Sequence, residues 1–401
     1  MTAGMVVIGA GQAAASLVAK LRALGHDGPV TVIGEEPVAP YQRPPLSKKY
    51  LLGEMEQDRL LLRPASWYSE NDVTCHLSTR VSAIDREARA VVLEDGERLL
   101  YDKLALTTGS TPRRLPEAVG GALSGVYTVR DLEDVDRMAP EFTEGRRVLI
   151  IGGGYIGLEA AAVARMRGLS VTVIEMADRI LQRVAAPATS DFIRKLHQDH
   201  GVEIREGVGL DHLQGTGKVD GAVLTDGARL DVDFVIAGIG IKPNTWVAEA
   251  AGLKVDNGIA VDDHSRTSDP DIYAAGDCAS FPYRGQRIRL ESVPNAIDQG
   301  ENAATNMAGG DEVYIAKPWF WSDQYDVKLQ IAGLNTGWDE CIIRPGMKEG
   351  TQSNWYFRGD ELLAVDAMSD ARSYMVGKRV IEAGKTLPKS DIADPSIILK
   401  P

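Results

Sequence analysis

The sequence predicts an α/β fold made of two Rossmann-like dinucleotide-binding domains, the second inserted in the first, followed by a C-terminal α+β domain. Two observations carry this. A glycine-rich turn follows an apolar strand twice: Gly9-Ala10-Gly11-Gln12-Ala13-Ala14 after Met5-Val6-Val7-Ile8, and Gly152-Gly153-Gly154-Tyr155-Ile156-Gly157 after Val148-Leu149-Ile150-Ile151. Each turn opens a helix, and a second β-branched strand with an acid at its end comes next. Those strands are Val30-Thr31-Val32-Ile33, ending at Gly34-Glu35, and Val171-Thr172-Val173-Ile174, ending at Glu175. One such pattern is weak; two, each with strand, helix and acid in place, are not.

The chemistry repeats at each turn. The first glycine, Gly9 or Gly152, makes the tight bend. The second, Gly11 or Gly154, lets backbone approach a pyrophosphate resting on the N-terminal end of the helix, where unpaired N–H groups favour negative charge. The third position needs a small residue for helix–strand packing, and Ala14 and Gly157 both qualify. Glu35 and Glu175 stand where an acceptor for a ribose hydroxyl belongs, or are ordinary strand-end carboxylates. Glu175 would repel a 2′-phosphate, which favours NADH over NADPH, although Arg179 and Arg183 are near. A chain that holds two dinucleotides usually passes electrons between them.

Composition narrows the possibilities. A chain of 401 residues, 44% hydrophobic and 25% charged, has the material for two or three domains with real cores. No apolar run reaches the ~18 residues of a membrane span. The first strand begins at Met5, leaving no room for a leader, and a cytoplasmic location is expected. A net charge of −13 argues against nucleic acid, and an acidic protein partner would need a local basic patch. Cys75, Cys278 and Cys341 form no close pair, so free thiols are expected and a redox dithiol is not. The six histidines form no metal pattern, and no metal site is expected. His197 and His200 read as the solvated last turn of a helix ending at Gly201.

Along the chain, residues 1–34 are strand, helix, strand. Tyr41 to Lys48 is a proline-stiffened loop before a helix start. Short strands alternate over 80–108, with Asp95-Gly96 as a hairpin turn, and Leu104 to Gly109 is a buried strand ending in a small-residue turn. Pro112 to Gly125 is a linker. Residues 146–242 form the second unit, closed by Val235 to Gly240, with a turn at Pro243-Asn244. Ile272 to Asp277 is a strand with an acid at its tip. Residues 319–401 are richer in Trp, with strand-like runs at Lys328 to Ala332 and Leu362 to Val365. The expected domains are therefore 1–111 with 245–318, then 112–244, then 319–401.

The fingerprint pair, Thr107-Thr108-Gly109 and Tyr273-Ala274-Ala275-Gly276-Asp277 resemble the flavoprotein pyridine-nucleotide oxidoreductases of the glutathione-reductase fold. Arg43 to Lys48, Gly152 to Glu159, Glu291 to Ala296 and Trp319 to Gln324 narrow the resemblance to the NADH-dependent ferredoxin reductases of bacterial oxygenase systems. The resemblance spans nearly the whole chain. It implies FAD at the first fingerprint, with contacts from Gly9, Gly11, Ala14, Glu35, Arg43, Lys48, Val81, Gly109, Arg130, Asp277, Val293 and Trp321. It implies NADH at the second, with Gly152, Gly154, Tyr155, Ile156, Gly157, Glu175 and Gly240. Asp277 would bond the ribityl chain, and the Val293 N–H would face the flavin pyrimidine edge. Lys48 and Glu159, the latter expected in the first turn of its helix, would act as a pair: a cation near flavin N5, held by a carboxylate. A surface lysine and a helix-start glutamate are the plainer reading.

The resemblance further implies hydride transfer from NADH to FAD, then single electrons to a 2Fe–2S ferredoxin and, indirectly, an oxygenase. The Glu291-Ser292-Val293-Pro294 form leans toward haem–thiolate monooxygenases. Trp321 is a candidate to lie between flavin and acceptor, or is a core aromatic. Arg287 and Arg289 are candidates for a basic docking rim, or guard an edge strand. A monomer or a homodimer fits equally. Alternatives are an NADH oxidase or peroxidase, disfavoured because Tyr41 to Lys48 holds no cysteine, a reductase of rubredoxin, nitrite or monodehydroascorbate, and a slow flavin redox-sensing interaction protein.

Overall fold

The computed structural model describes residues 3–401; Met1 and Thr2, at the head of the first expected domain, lie outside the described residues. Packing groups the chain into two compact units. Among the described residues, the first joins 3–43, 56–111 and 241–318; the second joins 44–55, 112–240 and 319–401.

In the first unit, β-branched and apolar runs make a central parallel array ordered Val73–His76, Val30–Ile33, Gly4–Ile8, Arg98–Leu106, with Ile272–Ala274 beside the last. Ala90–Leu93 and Val81–Asp85 extend it antiparallel. Such strands are buried on both faces and need cover on both. One face packs under the helices Gln12–Ala23 and Val293–Met307, where Leu17, Val18 and Leu21 are fully buried. The other buries Val91, Leu104, Ile272 and Phe281. A short strand, Ile241–Pro243, takes in the first residue of the turn expected at Pro243-Asn244. Asn244 then ties the returning chain down: its Nδ2 donates to the Thr108 carbonyl at 2.9 Å and its N–H to the Gly109 carbonyl at 2.9 Å.

The second unit holds a parallel five-stranded sheet ordered Glu203–Glu206, Ser170–Glu175, Arg147–Ile151, Phe234–Ala237, Val126–Tyr127. A small antiparallel sheet, Leu210–Thr216, Lys218–Leu224 and Arg229–Asp231, packs on it through Leu213, Ala222 and Leu224. Residues 319–401 form an antiparallel five-stranded sheet ordered Trp319–Gln324, Val327–Gly333, Glu361–Met368, Gln352–Arg358, Glu340–Pro345. The helix Ala371–Glu382 covers it, burying Tyr374, Val376 and Val380 against Trp355, Phe357 and Val365. No helix among the described residues is long and apolar enough to cross a membrane.

Candidate functional site

The first fingerprint lies in the first unit. Gly9 has φ +106°, and a Cβ there would sit 2.2 Å from the Thr107 carbonyl oxygen. Gly11 is the N-cap of the helix Gln12–Ala23 and makes no side-chain cap. Space is open where its Cβ would be. Helices at Leu132–Met138, Val293–Met307 and Ala371–Glu382 are instead capped by Asp131, Ser292 and Asp370. The fingerprint helix therefore leaves its first N–H groups for an anion. Around the turn, Asp277 Oδ2 accepts from Ser110 Oγ at 2.9 Å. Gln299 Oε1 accepts the Gly276 N–H at 2.9 Å, and its buried Nε2 finds no partner among the described residues. An orphaned donor beside an open glycine cradle fits a bound, oxygen-rich cofactor such as FAD.

The second fingerprint, in the second unit, repeats the geometry. Gly152 also has φ +106°, and Gly154 is the uncapped N-cap of Tyr155–Met166 with open space around it. Glu175 is held by two backbone donors, Gly153 N–H and Ala177 N–H, each at 2.8 Å. That fixes a carboxylate at the strand end with lone pairs to spare for ribose hydroxyls. The first copy has no counterpart. Gly34 follows its strand directly, and a Cβ there would collide with Ala10 Cβ at 2.5 Å. Its acids come later: Glu35 is exposed and pairs with Arg80 at 3.4 Å, while Glu36 accepts from Tyr41 and Arg43.

Lys48 and Glu159 meet within the second unit, Nζ to Oε1 at 3.0 Å. Glu159 is in the second helical turn, not the first, and is 6% exposed, so burial rather than the helix end defines its setting. Burial pushes its carboxyl up; Lys48, Ser322 and Ser47 pull it back. Ser47 Oγ donates to Oε2 at 2.8 Å and Ser322 Oγ to Oε1 at 2.7 Å. Asp323 stands 3.7 Å from the Lys48 Nζ. The result is a fixed, water-poor cation.

Residues 4–300 match the family model described as pyridine nucleotide-disulphide oxidoreductase. The chain belongs to that family. Residues 319–401 match a second model, the reductase C-terminal domain. The oxidoreductase is 40% identical to putidaredoxin reductase of Pseudomonas putida, over 99% of this chain and 96% of that one. It is 41% identical to a ferredoxin–NAD(P)(+) reductase of Sphingomonas, over 99% and 96%. It superposes with a TM-score of 0.95 on the crystal structure of the covalent putidaredoxin reductase–putidaredoxin complex, at 39% identity over 98% and 96% of the two chains. Like its family, this oxidoreductase uses FAD and NAD(P)H.

The other anticipated residues of the oxidoreductase fall as follows. Val81 is buried in the first unit's core, Gly109 has φ +65°, and Val293 is the first residue of a helix capped by Ser292. Arg43 donates to Glu36 and to the Tyr41 hydroxyl. Arg130 lies between Val126–Tyr127 and Leu132–Met138, and Trp321 on Trp319–Gln324, stacked on Trp319 with centroids 5.5 Å apart; both belong to the second unit. Tyr155 tilts against Phe320 at 4.9 Å, and its hydroxyl is buried without a partner among the described residues. Ile156 is exposed, and Gly240 has φ +92°.

Three expectations need correction. Arg289 is not a free rim charge: its side chain is 10% exposed, with Arg289 bonded to the Asn257 and Asp277 carbonyls and to Glu291. Arg287 is more exposed, with its Nη1 donating to the carbonyls of Val261 and Ser280 and Asp256 4.0 Å from its Nε. Arg179 donates to Ser190 Oγ and the Ala185 carbonyl, so it is taken up before any 2′-phosphate could reach it. And His197 is fully buried, not solvated, with Nε2 2.8 Å from Gln324 Oε1. The residues missed were Ser47, Ser322, Gln324 and Gln299. Ser322 and Gln324 alternate with Trp321 and Asp323, a period-two signal that was there to be read.

Proposed function

We propose that this oxidoreductase carries electrons from NADH through FAD to a 2Fe–2S ferredoxin that serves an oxygenase, with a haem–thiolate monooxygenase favoured by the Glu291 to Pro294 segment. The observation that carries the reading is full-length likeness to a reductase solved in covalent complex with putidaredoxin. Residues 1–111 and 245–318 hold FAD, 112–244 hold NADH, and 319–401 contribute to the exit side. When bound, FAD would supply the conversion of a two-electron hydride into single electrons that a one-electron acceptor requires.

The chain's own residues set the stage. Gly9, Gly11 and Ala14 cradle one pyrophosphate, and Gly152, Gly154 and Gly157 the other, each at a helix start. Glu35, Arg43, Val81, Gly109, Arg130, Asp277, Val293 and Trp321 complete the FAD contacts, and Tyr155, Ile156 and Gly240 those of NADH. Lys48 is the cation that would favour hydride arrival, and Glu159 holds it in place. The cytoplasm is the compartment that suits its free cysteines.

Two measurements test this. NADH-driven cytochrome c reduction should be fast only with added ferredoxin; equal rates without it would favour an oxidase or a sensor. In single turnover, Lys48→Met should slow flavin bleaching by roughly tenfold to a hundredfold, the scale of one lost charge-assisted contact. An unchanged rate removes Lys48 from the mechanism. Nucleotide choice follows from Glu175, a carboxylate pinned beside the second glycine turn by two backbone donors. NADH should exceed NADPH in kcat/KM, and Glu175→Ala should narrow the ratio by about tenfold.

A further inference from the structure

The Lys48–Glu159 pair is the end of a buried series of side chains that reaches the last turn of a helix. Ser322 Oγ donates to Glu159 Oε1 at 2.7 Å. Gln324 Nε2 donates to Ser322 Oγ at 3.1 Å. His197 Nε2 lies 2.8 Å from Gln324 Oε1, and the Tyr325 hydroxyl lies 3.4 Å from His197 Nδ1. Ser322, Gln324 and His197 are each at most 1% exposed. These three side chains are thus shielded from bulk solvent.

The direction of this series is forced by chemistry. An ionised carboxylate only accepts, so Ser322 must give its single proton to Glu159. The Ser322 oxygen must then accept, so Gln324 presents its NH2 end and turns its carbonyl to His197. That carbonyl demands an N–H on His197 Nε2, which leaves Nδ1 as the acceptor facing Tyr325. Reversing any one link reverses them all, and leaves an oxygen lone pair aimed at the Glu159 anion.

We propose that His197, Gln324 and Ser322 are positioning residues of the Lys48–Glu159 pair, a one-way series of donors that keeps Glu159 ionised and, through it, Lys48 in place. The inference rests on the reading of Lys48 given above. It gives His197, on the helix Pro187–Asp199, a task although it touches neither cradle's glycines. The titratable groups beside the series are Lys48 and Asp323 at one end, and Arg165 with His200, stacked on Tyr325 with centroids 3.7 Å apart, at the other. Burial holds the His197 imidazole down to about 4, so it stays neutral where the enzyme works.

The test uses the flavin-loaded enzyme. Histidine ¹⁵N NMR should find His197 neutral and protonated on Nε2 from about pH 6 to 8. Protonation on Nδ1, or titration near the ordinary histidine value, overturns the proposal. Ser322→Ala should move the acid limb of the flavin-bleaching pH profile up by about one unit, a tenfold change in ionisation, while Ser322→Thr, which keeps the hydroxyl, should restore it. Gln324→Leu should free the His197 tautomer and populate Nδ1–H. If the Ser322→Ala limb coincides with the parent's while Lys48→Met still slows bleaching, the positioning role is wrong and the role of Lys48 stands. If Lys48→Met has no effect, Lys48 leaves the mechanism and the positioning role falls with it, while the NMR result still decides whether the donor series exists.

Discussion

Gly157 and Ala14 hold the same place in the two fingerprints, yet a methyl group is welcome at only one. Ala14 is fully buried in a packed core. A Cβ on Gly157 would lie 2.3 Å from the Gly152 carbonyl oxygen, which is backbone and cannot step aside. Gly157→Ala must push the helix Tyr155–Met166 off its strand and disturb the turn that receives the pyrophosphate. The expected cost is about 1–3 kcal/mol, the range for overpacking a tight site. Ala14→Gly should cost only about 1 kcal/mol, the helix penalty of glycine. Thermal melting and NADH titration would measure the pair. Gly157→Ala should weaken NADH binding while flavin content stays normal, because the two cradles belong to separate units. Loss of flavin with intact NADH binding would contradict that division of labour.

At the scale of elements, what could be read from sequence follows the range of the forces involved. Gly9 and Gly152 were legible because a positive φ and a close carbonyl are local demands that glycine alone meets. The strands beside them were legible because β-branched runs have few other uses. The burial of His197 was not, since it depends on Gln324 arriving from a strand far along the chain. The hydrogen bonds of Arg287 and Arg289 were not legible for the same reason: their acceptors, such as the Val261 and Asn257 carbonyls, come from distant segments. Arg344 shows how strongly such distant bonds bind elements. From the strand Glu340–Pro345 its guanidinium donates to the carbonyls of Asp391, Ile392, Asp394, Pro395 and Ile397, at 2.6 to 3.3 Å. One side chain thus fastens the C-terminal tail, which contains the short helix Lys389–Ala393, to the sheet. Arg344→Ala should cost about 2–3 kcal/mol, the loss of charge-assisted bonds to groups that then lack donors. Trypsin should then cut at Lys385 or Lys389 well before the parent is nicked. Equal digestion rates would mean that apolar packing of Ile392 and Leu399 holds the tail unaided.

At the scale of the whole molecule, stability against pH sums groups of opposite sign, and two fully buried ones dominate the mildly acidic range. Asp366 is fully buried, accepts from Tyr356 and Thr189, faces the Tyr155 phenol, and is pushed up to about 6 by burial. Its folded form holds a proton that the unfolded chain has released. It therefore penalises folding increasingly as pH rises from about 4 to about 6, with a plateau above. His197 is held down to about 4 by burial, aided by His200. The unfolded chain binds the proton that the folded one refuses, so this penalty grows as pH falls from the ordinary histidine value toward about 4. Each amounts to about 3 kcal/mol at its plateau. The slopes oppose each other over the same window, so the parent's melting temperature should change little there. The variants separate them. Asp366→Asn minus parent should gain stability as pH rises to about 6 and then level off. His197→Gln minus parent should gain as pH falls, and level off below about 4. Differences against the parent cancel carboxylates remote from the substitution; Glu159, which shifts in the same direction as Asp366, cancels in the Asp366→Asn curve, whereas His197→Gln also breaks its donor series. Two flat difference curves would mean that both groups keep enough water in solution to titrate normally, which would remove the dry interior on which the Glu159 donor series also depends.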